Sequence, residues 1–511
     1  MCILPPPRRL VRLLLLLPVG LASAACEGPP VGPAPPTAIV APPAPASPTA
    51  ALAPAAPTAA SRRAAPGCGP ALAPPLRLDG RGDPYLPRLG NAGYAAQHYT
   101  LDLRVDPDTD VLSGTVTMQA QTLQGLGAFD LDFQGLTIDD ITVDGARAVY
   151  FRDGAELVIQ FPQPVPPGTR FTSAVTYHGR PQPAPAKAVP ITIGWQRGTH
   201  GTFVADEPEG AETWYPVSDH PCDKATYTLR ITVPQPYVVA ANGLLRSADD
   251  HGTSTTYLWE TRDPLASYLV TVDIGDFALR TDQGTGGLPI RNYFPRDLAD
   301  QAAQIFAPTK DMIAFYSSRF GPYPFDVYGV VVVDADLNFS LETQTLSLFG
   351  RGVVGDPAGA SLVVAHELSH QWFGDSVSLK SWQDIWLNEG FATYAQYLWY
   401  EHTHDRAALD TVMQTLRDTL VGQRLPPPGR PPLDDLFNAS VYNRGALTLH
   451  ALRRTVGDDT FFRILQTYTA RYRYGNAGTA DFIAVAQEVS GRDLRSLFDS
   501  WLYADAVPAL P

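Results

Sequence analysis

Positive charge is in short supply in this chain of 511 residues. Lysine and arginine number 38 against 52 aspartates and glutamates, for a formal net charge of −14. A surface of that sign repels a phosphate backbone, which excludes nucleic acid as a partner. It selects no function among those that remain, because an acidic, solvated surface suits many soluble proteins. Cysteine is scarce as well: Cys2, Cys26, Cys68 and Cys222 are the only four. None has the spacing of a thiolate metal site. Beyond the N-terminal region no apolar run reaches the length of a membrane-spanning helix. No internal repeat of useful period is found, which excludes a solenoid.

What is present begins with a leader. Arg8, Arg9 and Arg12 precede or interrupt the apolar run "LVRLLLLLPVGLASAAC". The run is too short to span a membrane and ends in small residues, so residues 1–25 read as a secretory signal. Two processing readings stand. Ala22-Ser23-Ala24 fits conventional cleavage, and Cys26 fits cleavage with lipidation, although Ser23 stands where such signals usually carry leucine. The expected location is extracytoplasmic, either secreted or anchored to the cell-surface membrane through an N-terminal lipid. An oxidising compartment also permits a disulfide between Cys68 and Cys222. Residues 26–82 follow, mostly alanine and proline, as in "PAPPTAIVAPPAPASPTAALAPAAPTAAS". Such a tract cannot bury enough apolar surface to offset its ordering entropy and reads as a disordered spacer.

The hydrophobic fraction of 45% allows a large interior, and the length predicts more than one domain. From Asp83 to about residue 282, segments such as "HYTLDLRVD", "LSGTVTMQAQ" and "TYTLRITVP" alternate apolar and polar residues between short turns. That is the pattern of an antiparallel β region, most simply a sandwich. From 283 to 511 the period shifts. "LADQAAQIFAPTKDMIAFYSSRFG" reads as a helix ended by Gly321, "YGVVVVDAD" as a buried strand, and helices dominate from Ser361 onward.

The chemistry lies in "LVVAHELSHQWFGD", Leu362 to Asp375. On a helix, residues i and i+4 share one face, about 40° apart around the axis. His366 and His370 can therefore bind one zinc ion, with Zn–N distances of about 2.0–2.1 Å. Glu367, rotated about 100° from His366, is placed to act from the side as a base toward a water at the ion. The blander reading is a pair of packed helix histidines, and a third ligand decides between the two. Eighteen residues separate His370 from Glu389 in "WLNEGFATYAQYLW". Gly374 is expected to end the first helix, and a second is expected to begin near Trp386 and to bring Glu389 beside the histidines. Two histidines and one carboxylate leave an open fourth position, the catalytic arrangement, with one Zn2+ per chain.

H-E-L-S-H followed by W-L-N-E-G-F at this separation resembles the aminopeptidase N family of zinc metallopeptidases, the gluzincin aminopeptidases that include the leukotriene hydrolases, in a short bacterial form. The resemblance covers roughly residues 85 to 511 and takes in "WYPVSDHPCDKATYTL" and "FGPYPFDVYGVVVV". It implies a multidomain fold: an N-terminal antiparallel β-sandwich-like domain over 83–282, then a thermolysin-like, mainly helical α+β catalytic domain over 283–511. It also implies roles for two residues. Glu342, in "NFSLETQTLS", would hold the free α-amino group of a peptide. Here Phe339-Ser340 replace the family's small pair, and Leu341 and Thr343 replace Met and Asn. Tyr442, in "VYNRGALTLHALR", would donate a hydrogen bond to the tetrahedral oxyanion, with Arg444 where the family has lysine.

Three departures from the family pattern stand out. Gln396 replaces a glutamate expected to support a ligand histidine from behind, where a neutral amide orients the ring but polarises it less. Ala205 falls where the family's first domain often offers glutamine to the amino-terminus pocket, with Glu207 and Glu209 nearby to compensate. The sequence ends at Pro511, where many members continue into a helical domain, so a more open cleft is expected. The function so implied is an exported zinc aminopeptidase acting on peptides with a free N-terminus. The alternatives are an endopeptidase or epoxide hydrolase on the same zinc site, or a catalytically weak surface binding protein. Oligomeric state and the preferred N-terminal side chain leave no mark in the sequence.

Overall fold

The computed structural model describes residues 80–511 and, outside them, the two-residue strand Cys2–Ile3. The rest of the leader and residues 26–79 of the spacer, with Cys26 and Cys68, lie outside the described residues.

The alternation of the β region translates directly into buried and exposed faces. Strand Tyr94–Asp106 buries Tyr99, Leu101, Leu103 and Val105 and turns Asp102 and Arg104 outward. It pairs antiparallel with Val111–Thr122, which pairs in turn with Arg170–Gly179. These strands belong to an eight-stranded sheet, accompanied by sheets of five and three strands. Their shared core is aromatic: Tyr99 stacks on Tyr227 at 5.2 Å between ring centroids, and Tyr215 meets both edge-on. The expectation of a purely antiparallel region is corrected at one place. Thr226–Pro234 lies parallel to Tyr94–Asp106, with Thr226 opposite His98. Periodicity reports which face of a strand is buried; it carries no information about which distant strand lies alongside, or in which direction.

The catalytic sheet runs in the spatial order Phe339–Leu341, Ser347–Gly350, Tyr328–Val333, Pro289–Pro295, Phe277–Gln283. Every residue of Tyr328–Val333 is buried, as its valine run requires between two parallel neighbours. Phe277–Gln283 pairs with Pro289–Pro295, so this sheet begins one strand earlier than the expected boundary at 283. Pairing, not composition, decides sheet membership. On the other edge, Cys2–Ile3 pairs antiparallel with Ser340 and Phe339. The expected single helix before the buried strand is two, Ala299–Phe306 and Thr309–Phe320, with Pro308 capping the second. Proline has no N–H to continue a helix, and the chain restarts there. Gly321, with φ of 99°, ends the second helix as expected. Among the described residues no helix is long and apolar enough to cross a membrane.

Specific hydrogen bonds tie the β region to the catalytic part. Asp83 Oδ2 accepts from the Trp382 N–H at 2.8 Å. Lys224 Nζ donates to the Asp375 carbonyl at 2.6 Å, and Asn242 Nδ2 donates to the Gln344 carbonyl at 2.7 Å. Two of these bonds land beside the two segments singled out in the sequence, the H-E-L-S-H run and the L-E-T-Q-T run.

Candidate active site

The H-E-L-S-H run lies on helix Pro357–Ser369. Asp356 caps it by accepting from the Gly359 N–H, and Pro357 occupies the first turn, where its missing N–H costs nothing. The helix stops at Ser369, five residues before the expected terminator Gly374. His370 nevertheless keeps a helical backbone, and its N–H still reaches the His366 carbonyl at 3.4 Å, so the one-turn relation between the histidines survives. Gly374 has a different task. Its φ is +135°, and a Cβ built there would stand 3.2 Å from His370 Nδ1. Only glycine lets the chain turn back this close to the imidazole.

Glu389 lies in the first turn of helix Trp386–Thr403. Its Oε2 is 3.2 Å from His366 Nε2 and 3.6 Å from His370 Nε2. Ligand atoms around a tetrahedral ion with bonds of about 2.1 Å stand about 3.4 Å apart, so this spacing fits zinc. The orientation of each ring is fixed from behind. His366 Nδ1 is 3.0 Å from Gln396 Oε1, and His370 Nδ1 is 3.0 Å from the Phe373 carbonyl. Both Nδ1 atoms are thereby donors, which leaves the Nε2 lone pairs facing Glu389. His370 Nε2 is buried with no hydrogen-bond partner among the described residues, as expected of an atom kept for a metal. Burial also lowers the His366 pKa, favouring the neutral imidazole that a metal needs.

Carboxylates crowd the same space. Oxygens of Glu342 and Glu367 lie within 4.8 Å of a His370 ring nitrogen and of each other, and those of Glu207, Glu342 and Glu389 lie within the same distance of one another. All four acids are buried. Burial drives Glu367 well above the ordinary carboxylate range, with Glu342 and Glu389 adding to the shift. Burial likewise raises Glu207, and Glu342 adds to it. A pocket so built favours bound positive charge, because a cation relieves both the burial cost and the mutual repulsion.

The remaining expectations divide. Tyr442 lies in the π-helical turn Ser440–Arg444, half-buried, with its ring stacked on His366 at 6.1 Å between centroids and 24° between planes. The structure thus brings His366, Glu367, His370, Glu389, Glu342, Gln396 and Tyr442 together. Ala205 ends strand Gly201–Ala205 as a buried residue, and of the two acids expected to compensate for it, Glu207 joins the cluster. Glu209 does not join: its Oε1 accepts from the Lys187 N–H at 2.8 Å. Cys222 is disulfide-bonded, and Cys68, its expected partner, lies outside the described residues. Sequence reasoning also missed Gln371. Its Nε2 donates to the Glu342 carbonyl at 3.1 Å and its Oε1 accepts from the Thr345 N–H at 2.8 Å, fixing the Glu342 backbone to the metal helix. Contacts to backbone atoms, like this one and that of Phe373, leave no trace in residue type.

Residues 95–269 match the peptidase M1 N-terminal domain, and residues 306–501 match the peptidase family M1 domain. An M1 zinc metallopeptidase of Deinococcus radiodurans, solved as a mutant bound to a Tyr-Ser-Ala substrate, superposes with a TM-score of 0.78 at 31% identity. That alignment covers 84% of this chain and 99% of the other. The chain belongs to peptidase family M1. Among curated relatives, Aminopeptidase M1 of Arabidopsis thaliana is 26% identical over 84% of this chain and 52% of its own length. Human glutamyl aminopeptidase is 29% identical over 60% of this chain and 34% of its own. The chain spans about half the length of the first of these M1 relatives and about a third of the second.

In this M1 peptidase, Gln396 offers His366 a neutral acceptor where a carboxylate would polarise the ring more strongly. Gln396→Glu is expected to tighten zinc binding by about tenfold. Competition against a chelator of known affinity checks this, and an unchanged or weaker affinity would refute the supporting role.

Proposed function

We propose that this chain is an exported zinc aminopeptidase that hydrolyses the N-terminal residue from peptides, with His366, His370 and Glu389 holding one Zn2+. The observation that carries the reading is the pair Glu207 and Glu342, buried beside those three residues. Two carboxylates at that place suit an ammonium group, and a terminus anchored there leaves the first peptide bond over the histidines. Zinc, when bound, supplies Lewis-acid polarisation of a carbonyl and lowers the pKa of a water. Glu367 takes the proton of the attacking water at its carboxylate and returns it to the leaving amine. The Tyr442 hydroxyl donates to the oxygen that gains charge in the transition state.

Export and the choice between free secretion and a lipid on Cys26 belong to the same proposal, supported by the basic residues and apolar run of the leader. The N-terminal mass of the mature chain tests them: an unprocessed Met1 would exclude both. The activity is tested by a panel of aminoacyl fluorogenic substrates, with and without chelator and with N-acetylated controls. Turnover is expected only with a free amino group and only with metal. Equal turnover of blocked substrates would replace the aminopeptidase reading with an endopeptidase one.

A further inference from the structure

We propose that Arg444 is a positioning residue for Tyr442, acting by clamping the segment Ser500–Ala506 against the π-helical turn that carries the phenol. The inference rests on the oxyanion role proposed above for Tyr442.

Arg444 is fully buried. Its Nε donates to the Trp501 carbonyl at 2.7 Å, and its Nη2 donates to the carbonyls of Ser500 at 3.1 Å, Ala504 at 2.5 Å and Ala506 at 3.2 Å. One guanidinium thus gathers four backbone oxygens from the end of helix Arg495–Leu502 and the chain just after it. The carbonyls of Ser500 and Trp501 lie in the last helical turn, which the helix itself cannot satisfy. Burying a cation there is tolerable only because these charge-assisted bonds replace its water.

The other side of the turn is fixed as closely. Thr448 Oγ1 donates to the Arg444 carbonyl at 2.8 Å. Gly445, the next residue, meets Gly390 so tightly that a Cβ on Gly390 would stand 2.8 Å from the Gly445 Cα. Gly390 directly follows Glu389. Turn Ser440–Arg444 is therefore held between the helix that carries Glu389 and the segment Ser500–Ala506, with Tyr442 at its middle. A π turn is a local departure from α-helical bonding, so its external partners set where Tyr442 stands. Lysine could not do the same work. Its ammonium is a point charge on a flexible stem, without the rigid planar fork that reaches several carbonyls at once.

A residue that merely stabilises the fold would lower the melting temperature and leave kcat of the folded enzyme unchanged. A positioning residue lowers kcat, and does so only while the group it positions is present. The test is a double-mutant cycle in the full chain, made with Arg444→Met and Tyr442→Phe, reading kcat, KM and zinc content on a free aminoacyl substrate. Arg444→Met is expected to lower kcat by about 10-fold to 100-fold, with KM within about twofold and zinc retained. In the Tyr442→Phe background the same substitution should change kcat by less than about twofold. Arg444→Lys should give a smaller loss that also vanishes in that background, and it carries the test where Arg444→Met does not fold. An equal fold-loss in both backgrounds, or a loss of zinc, would overturn the inference. Full kcat in the single Tyr442→Phe variant would instead remove the role of Tyr442 itself, and the inference with it.

Discussion

Glu367→Gln is expected to keep one zinc per chain while turnover falls by about 10³–10⁴-fold. The expectation follows from where the carboxylate stands. Both Glu367 oxygens are buried with no hydrogen-bond partner among the described residues. Native proteins rarely bury an idle carboxylate, and those that do so at a cleft keep it for chemistry. Burial raises its pKa well above the ordinary range, with Glu342 and Glu389 adding to the effect. Glutamine has the same shape and cannot accept the proton. The triad His366, His370 and Glu389 does not include Glu367, so zinc content is expected to be unaffected. Zinc by mass and kcat on the same preparation check both halves. A kcat within tenfold of wild type would sink the general-base assignment, and lost zinc would mean that Glu367 supports the metal instead.

The second large effect concerns recognition of the free terminus. Glu342→Ala is expected to lower kcat/KM on free aminoacyl substrates by about 10²–10³-fold, the scale of removing one partner from a buried charged pair. Glu207→Gln keeps a hydrogen-bond acceptor and loses the charge, so about tenfold is expected. Neither variant should gain or lose activity on an N-acetylated substrate, so the preference for a free terminus should shrink by the same factors. Loss of zinc from Glu342→Ala would show that the acid serves the metal. Unchanged kcat/KM in both variants would mean that the ammonium is bound elsewhere.

The two predictions differ in how far the sequence alone reaches them. His366, Glu367 and His370 are one turn of one helix, and a periodicity of 3.6 residues is enough to put both imidazoles on a common face. Glu389 is legible because the chain between it and His370 is short and a second helix is expected to begin at Trp386, where the structure begins it. Glu207 is different. It lies 135 residues before Glu342, counted along the sequence, on a loop of the β region. Aligned by motif, Ala205 falls where the family has glutamine, and Glu207 and Glu209 are equally placed to compensate. Only the fold, which brings Glu207 within 4.8 Å of Glu342 and Glu389, separates it from Glu209.

The ends and borders of elements follow the same division. Helix Pro357–Ser369 is announced by Asp356 and Pro357, yet it stops before Gly374, where the chain closes a turn through backbone bonds to the His370 and Val377 carbonyls and Lys224 of the β region donates to the Asp375 carbonyl. The parallel pairing of Thr226–Pro234 with Tyr94–Asp106 likewise lies beyond any local pattern.

By itself the sequence determined the H-E-x-x-H…E pattern, the mostly β first part and the family, since each rests on periodicity or on short spacings within a few turns of chain. Only the tertiary structure decided which acid of the β region joins the cluster, which histidine Gln396 supports and what anchors the turn bearing Tyr442. Those choices are made by groups distant in sequence, and above all by backbone carbonyls, which every residue possesses and no residue type reveals.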